Sequence, residues 1–175
     1  PVNPTQILAT LFVHAGHLEI PEERLRRQLR FLTTLIEADQ ISSIFDQSDA
    51  QIIDYFLSTS GAERQLRDGE PMITITPGGL IDMRYYSNSV THLFVLPSLI
   101  ANRLIQEPMI DPEPFFDQLT VLAPLLDAIC FSKLAPSAER INELLEIFDY
   151  KTEGQQVSSA RVDSPLASDL IQIAG

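Results

Sequence analysis

Proline set just after a capping residue punctuates this chain, and each occurrence fixes where a helix starts. Asn3-Pro4, Asp111-Pro112 and Asp163-Ser164-Pro165 carry the pattern. The polar side chain accepts from an orphaned first-turn amide, and proline occupies a position where no backbone donor is needed. Apolar residues then recur at helical spacing. Ile7, Leu8, Leu11 and Phe12 form a stripe that stops near Gly16. Leu25, Leu29, Leu32 and Ile36 form a second, opened at Pro21, with Glu22 and Glu23 first and Arg24, Arg26, Arg27 and Arg30 largely around the other face. That order of charge suits the helix dipole. Ser48 caps a third helix carrying Ile52, Ile53, Phe56 and Leu57 and ending before Gly61. Phe115, Phe116, Leu119, Leu122, Leu125 and Leu126 follow Asp111-Pro112, with Pro124 placed to bend them, and Pro136-Ser137 opens a stripe of Ile141, Leu144, Leu145 and Phe148.

One segment breaks the helical period. Met72-Ile73-Thr74-Ile75-Thr76 is β-branched and alternating, which predicts a strand, and Pro77-Gly78-Gly79 predicts a turn after it. Helix, helix, strand and turn in that order suggest a small winged-helix-like unit. A long helix is predicted over residues 83–106, kinked at Pro97. Further on, a turn around Gly154, a short strand over residues 157–162 and a last helix from Asp163 echo the first unit weakly. The expected fold is therefore mainly α, a multi-helix domain with one or two small β-hairpins, divided at 1–82 and 83–175. Because Pro1 rather than Met comes first and Gly175 follows an apolar run, the expectation is a piece incomplete at both ends.

With 175 residues, 45% of them hydrophobic, the chain can bury one core or two small ones. Its net charge of -12 repels phosphate backbones, which argues against nucleic acid, and repels anionic lipid unless another part of the protein anchors it. Cys130 stands alone in an apolar stretch, where a small core residue is expected rather than a nucleophile. The longest apolar run, residues 93–101 with Pro97 and Ser98 inside it, falls short of the roughly 20 residues a membrane span needs.

Candidate chemistry is sparse. His14, His17 and His92 have no cysteine, histidine or carboxylate neighbours at metal-ligand spacing, so neither a metal nor a cofactor is expected. His14 and His17 are each followed, at the spacing of a His-x4-Asp acyltransferase motif, by a glutamate (Glu19 and Glu22), but Gly16 and Pro21 interrupt the context. No catalytic residue is assigned. Gly78-Gly79 lacks the surrounding pattern of a phosphate loop, and the arginines of the second helix read as a solvated face. On the predicted long helix, Tyr85, Asn88 and His92 fall on one side, above Leu96 and Leu99. Such a trio is either a paired polar cluster in the core, the favoured reading, or a set of substrate contacts.

The block Tyr85-Tyr86, Asn88, His92, Leu96-Pro97-Ser98-Leu99 and Ala101 resembles one found in bacterial and mitochondrial glycerol-3-phosphate 1-O-acyltransferases downstream of their catalytic domain. There a paired aromatic, a basic residue, an asparagine and a histidine precede an apolar run ending in Ser-Leu-x-Ala. The departure is Ser87, where the family usually has Arg or Lys; Arg84 is the nearest charge that could replace it. Weaker likeness extends over most of the chain, to the C-terminal accessory region of the bacterial, membrane-associated enzymes.

The resemblance implies a parent enzyme that moves an acyl group from acyl-CoA or acyl-carrier protein to the 1-hydroxyl of glycerol 3-phosphate, for phospholipid synthesis. It implies peripheral placement on the cytoplasmic face of the inner membrane. The catalytic His-x4-Asp domain would then lie upstream on the same polypeptide as this region's partner. It also marks Arg84, Tyr85, Tyr86, Asn88 and His92 as a structural or substrate-proximal network. The alternative is a non-catalytic protein-interaction module of winged-helix type. An in-frame His-x4-Asp domain upstream separates the two.

Overall fold

The computed structural model describes residues 1–106, 112–130 and 137–148. It divides into two compact units, Pro1–Thr91 and His92–Gly175. The described residues are mainly helical, with one small three-stranded antiparallel sheet.

In the first unit α1 spans Pro4–Ala15. Asn3 Oδ1 accepts from the Gln6 amide at 3.2 Å while Gln6 Oε1 accepts from the Asn3 amide at 2.9 Å, a reciprocal cap. At the other end Gly16 takes the left-handed conformation, φ 64°, that closes a helix without a Cβ clash. A short strand β1 (Glu19–Pro21) leads into α2 (Glu22–Thr34), and two 3-10 turns follow. α3 (Asp49–Ser60) is capped reciprocally by Ser48 and Gln51 and ends at Gly61. Strands β2 (Glu63–Arg67) and β3 (Glu70–Thr74) form a hairpin, and α4 (Pro77–Asn88) closes the unit.

The sheet order is β1-β3-β2, so the strand last in sequence lies in the middle. Helix, strand, helix, helix, strand, strand with that order is the topology of a winged helix. The expected winged-helix-like unit is therefore present, with two strands that the sequence reading had not placed. β1 is too short for its alternation to register. β2 is exposed along its whole length and carries little apolar signal. The hairpin does have a local cue: Asp68 (φ 53°) and Gly69 (φ 85°) form a two-residue turn of the kind Asp-Gly favours. Replacing Gly69 by Ala is expected to cost about 1 kcal/mol, because a Cβ is strained at positive φ. Hydrogen exchange of the β2 and β3 amides should show it as a roughly fivefold loss of protection.

α1 packs against α2, α3 and α4, which explains why residues from Pro4 to Phe12 are almost all buried. Its Phe12 ring stacks on Phe56 of α3, with centroids 6.1 Å apart and planes 14° apart. Leu25 and Leu29 of α2, Ile20 of β1 and Ile73 of β3 complete the core.

Two sequence expectations need correction here. Pro77-Gly78-Gly79 is not a turn but the first turn of α4. Thr76 Oγ1 accepts from the Gly79 amide at 3.0 Å, so Thr76-Pro77 repeats the cap-then-proline signature seen at Asn3-Pro4. The long helix over residues 83–106 is also absent. α4 stops at Asn88, a 3-10 turn spans Thr91–Phe94, and α5 runs Val95–Gln106. Local hydrogen bonds explain the break. The Ser89 and Val90 amides donate to the carbonyls of Tyr86 and Ser87, three residues back, at 3.2 and 3.0 Å, the tightened last turn that closes an α-helix. Pro97 then lies in the first turn of α5, where its missing N–H removes no intrahelical bond and produces no mid-helix kink. α4 packs on α1 and lies in the first compact unit, which runs to Thr91.

In the second unit α5 packs against α7 (Ala138–Ile147), which Ser137 caps, and α6 (Pro112–Cys130) contains Pro124. Ile100, Leu104, Phe115, Leu119, Leu144 and Leu145 are buried. The expectations for the Asp111 cap, the Cys130 side chain and the strand and helix after residue 148 lie outside the described residues.

Candidate functional site

The residues marked by sequence are divided between α4 of the first unit and the opening 3-10 turn of the second. Tyr85, Arg84 and Asn88 lie on the exposed side of α4, and Tyr85 is 79% exposed. Tyr86 is half-buried and meets Tyr85 edge to face, with centroids 5.8 Å apart. His92 sits on the 3-10 turn that opens the second unit, and burial lowers its pKa, favouring the neutral ring. The single helical face expected for Tyr85, Asn88 and His92 is thus interrupted after Asn88, because α4 ends there. Ser87 is buried on the inner side of α4 whereas Arg84 is exposed, so Arg84 does not supply a charge in the place of residue 87.

The polar centre that sequence reasoning missed is Glu22. It is 4% exposed at the start of α2. Arg26, one turn on, donates from Nε to its Oε1 at 3.1 Å, and Arg64 of β2 donates from Nε to its Oε2 at 2.6 Å. Arg64 also donates from Nη2 to Asp54 Oδ1 of α3 at 2.9 Å. Strand register makes this possible: Arg64 pairs with Ile73, which pairs with Ile20, so Arg64 shares the sheet face that looks onto the helices. Burial raises the Glu22 pKa, but the hydrogen bonds and charges of Arg26 and Arg64 outweigh it and hold the pKa below its ordinary value. A glutamate one helical turn before an arginine, just ahead of an apolar stripe, was the available signal. Its burial was not readable, because it depends on β2.

This centre ties α2, α3 and the sheet together; it is not arranged for proton transfer. The two glutamates that follow histidines at acyltransferase spacing are held by arginines, Glu22 as above and Glu19 by Arg67 Nη2 at 2.7 Å. Arg30 of the expected solvated face pairs with Asp49. Two clefts among the described residues carry carboxylates. One of about 340 Å³ includes Glu19, Glu63 and Arg67 in its lining, and one of about 410 Å³ in the second unit includes Glu113 and Asp117. The second, with no basic residue in its lining, disfavours phosphate-bearing molecules. In the first unit the helix that a DNA-binding winged helix would present carries Asp49 and Asp54 and no Lys or Arg, and the wing sets Glu63, Asp68 and Glu70 against Arg64 and Arg67, so neither is a basic surface. Among the described residues no group of three or more His, Cys, Asp or Glu is placed to hold a metal ion, and no helix is long and apolar enough to cross a membrane.

Fold and polar centre together define an acidic helical module with a winged-helix unit, braced by internal ion pairs. The sequence model of the glycerol-3-phosphate acyltransferase C-terminal region matches residues 1–172, and the chain belongs to that family. It is similar to the glycerol-3-phosphate acyltransferase of Shewanella oneidensis, 29% identical over 104 residues, covering 59% of this chain and 13% of that relative. The enzymes so named from Shewanella amazonensis and Pseudomonas putida are 25% identical over 138 residues and 24% identical over 148 residues. Those matches cover 77% and 83% of this chain but 17% and 18% of the relatives, so the chain spans under a fifth of their length. No solved structure matches.

Proposed function

We propose that this region is the non-catalytic support of an acyltransferase domain carried upstream on the same polypeptide. The parent transfers an acyl group from acyl-CoA or acyl-carrier protein to the sn-1 hydroxyl of glycerol 3-phosphate, peripherally on the cytoplasmic face of the inner membrane. The observation that carries this reading is the family match over residues 1–172, a C-terminal region by its description. The carboxylate-lined cleft of the second unit supports the division of labour, because donor and acceptor both bear phosphate or a phosphate-containing carrier. Arg84, Tyr85, Tyr86, Asn88 and His92 act in structure and docking rather than in bond making. The winged-helix topology of the first unit favours protein contact as the means of support.

Acyl-transfer assays test the reading. The isolated chain should give no acylated glycerol 3-phosphate, whereas the parent should, and removal of this region from the parent should abolish or strongly reduce turnover. Turnover by the isolated chain would refute the proposal.

A further inference from the structure

We infer that the outward face of α4, formed by Ile81, Arg84, Tyr85 and Asn88, is the surface on which the upstream acyltransferase domain docks; this rests on the reading just given and names its contact. These positions follow one another at helical steps of three and four, opposite Met83 and Ser87, which are buried in the unit. Ile81 is 68% and Tyr85 79% exposed, one turn apart. Asn88 and Arg84 are exposed beside them. Tyr85 is braced edge to face by Tyr86, so it loses little freedom on being covered. A braced tyrosine beside an aliphatic residue, rimmed by Arg and Asn, has the composition of an interface hot spot.

Chain connection singles out the occupant. By the family's description this is a C-terminal region, so a preceding part of the polypeptide enters where α1 begins. Gln6, in the first turn of α1, donates from Nε2 to Ser89 Oγ at 2.8 Å, one residue beyond the end of α4. The first turn of α1 is thereby held beside the end of α4, and a domain joined ahead of α1 meets this face at high effective concentration. Asp82, exposed and three residues before Tyr85, offsets Arg84, so the strip is near neutral although the whole chain carries -12.

The test uses the full-length parent. A photo-crosslinking p-benzoyl-phenylalanine is placed at Tyr85 or, as control, at Leu66, which is 75% exposed on the wing. Irradiation and mass spectrometry should join position 85 to a peptide upstream of residue 1 on the same polypeptide. A link from 85 to residues 92–175, to a second copy or to lipid overturns the inference, as does no link. In a second arm, Ile81→Asp combined with Tyr85→Asp should raise hydrogen exchange of upstream amides near the contact about tenfold or more, the effect of losing a hot-spot pair. Protection of α1 amides should be kept, and unchanged upstream exchange overturns the inference. Upstream links from Leu66 but not from 85 would remove this face while leaving the supporting role intact. Activity of the isolated chain would remove the supporting role itself.

Discussion

Truncating Phe56 to alanine is expected to unfold the first unit under conditions where the parent sequence stays folded. Phe56 and Phe12 are both fully buried, and their stacked rings form the contact between α1 and α3. Removing one ring deletes its transfer energy and leaves a cavity that rigid helices on three sides of α1 cannot close; losses of about 3–5 kcal/mol are usual for Phe→Ala in such places. A small unit has only about 5–15 kcal/mol in total. Phe56→Leu keeps most of the volume and should cost about 1.5 kcal/mol or less. Because the chain has two compact units, a single melting curve does not isolate the effect. Hydrogen exchange of the α1 amides does: Phe56→Ala should lower their protection by roughly 100-fold or more. A loss under tenfold would mean that α1 is not held by this contact.

Helix starts were the most legible part of the fold because their cause is local. Asn3, Ser48 and Ser137 cap where expected, since a cap needs only its own side chain and an amide three residues on. Thr76-Pro77 obeys the same rule and was passed over because Gly78-Gly79 reads so strongly as a turn. Strands were less legible. β3 was visible through Ile73, the one fully buried residue of the hairpin, whereas β1 and β2 exist because β3 offers them a ladder. The break at Asn88 lay hidden for another reason: Ser89 and Val90 carry no stop signal, and only their amide bonds to carbonyls three residues back, Tyr86 and Ser87, mark the end. The family was legible from residues 85–101, although the geometry first drawn for that block was not. Likeness of sequence survives an error in secondary structure, because it does not depend on which face a side chain takes. Glu22 shows the converse. Its neighbours in sequence were correctly read as a helix start, yet its partner Arg64 comes from 42 residues away.

Glu22→Ala is the second large expectation, at about 1–3 kcal/mol of lost stability. Breaking a fully buried ion pair costs about 3–5 kcal/mol. Here the arginine side chains are 31% and 39% exposed, so water screens them and takes over part of their solvation. Arg64 also keeps Asp54. Glu22→Gln separates charge from shape, because it retains the side-chain volume and one acceptor. The pH dependence has a definite sign. The folded pKa of Glu22 lies below its ordinary 4.5, so between the two values the unfolded chain binds more protons and stability rises with pH. The contribution is complete above about 4.5 and fades as pH falls through the folded value. The parent sequence should therefore lose more stability on acidification than Glu22→Gln does, and the two curves should converge at the acid end. Urea unfolding of both, followed through first-unit amides from pH 7 downward, measures this difference directly. A double-mutant cycle of Glu22→Gln with Arg64→Met should give a coupling of about 1 kcal/mol or more, falling as acid is added. Parallel curves for parent and Glu22→Gln, or a coupling near zero at neutral pH, would mean that the carboxylate is a passenger in the core and that α2, α3 and the sheet are held by apolar contact alone.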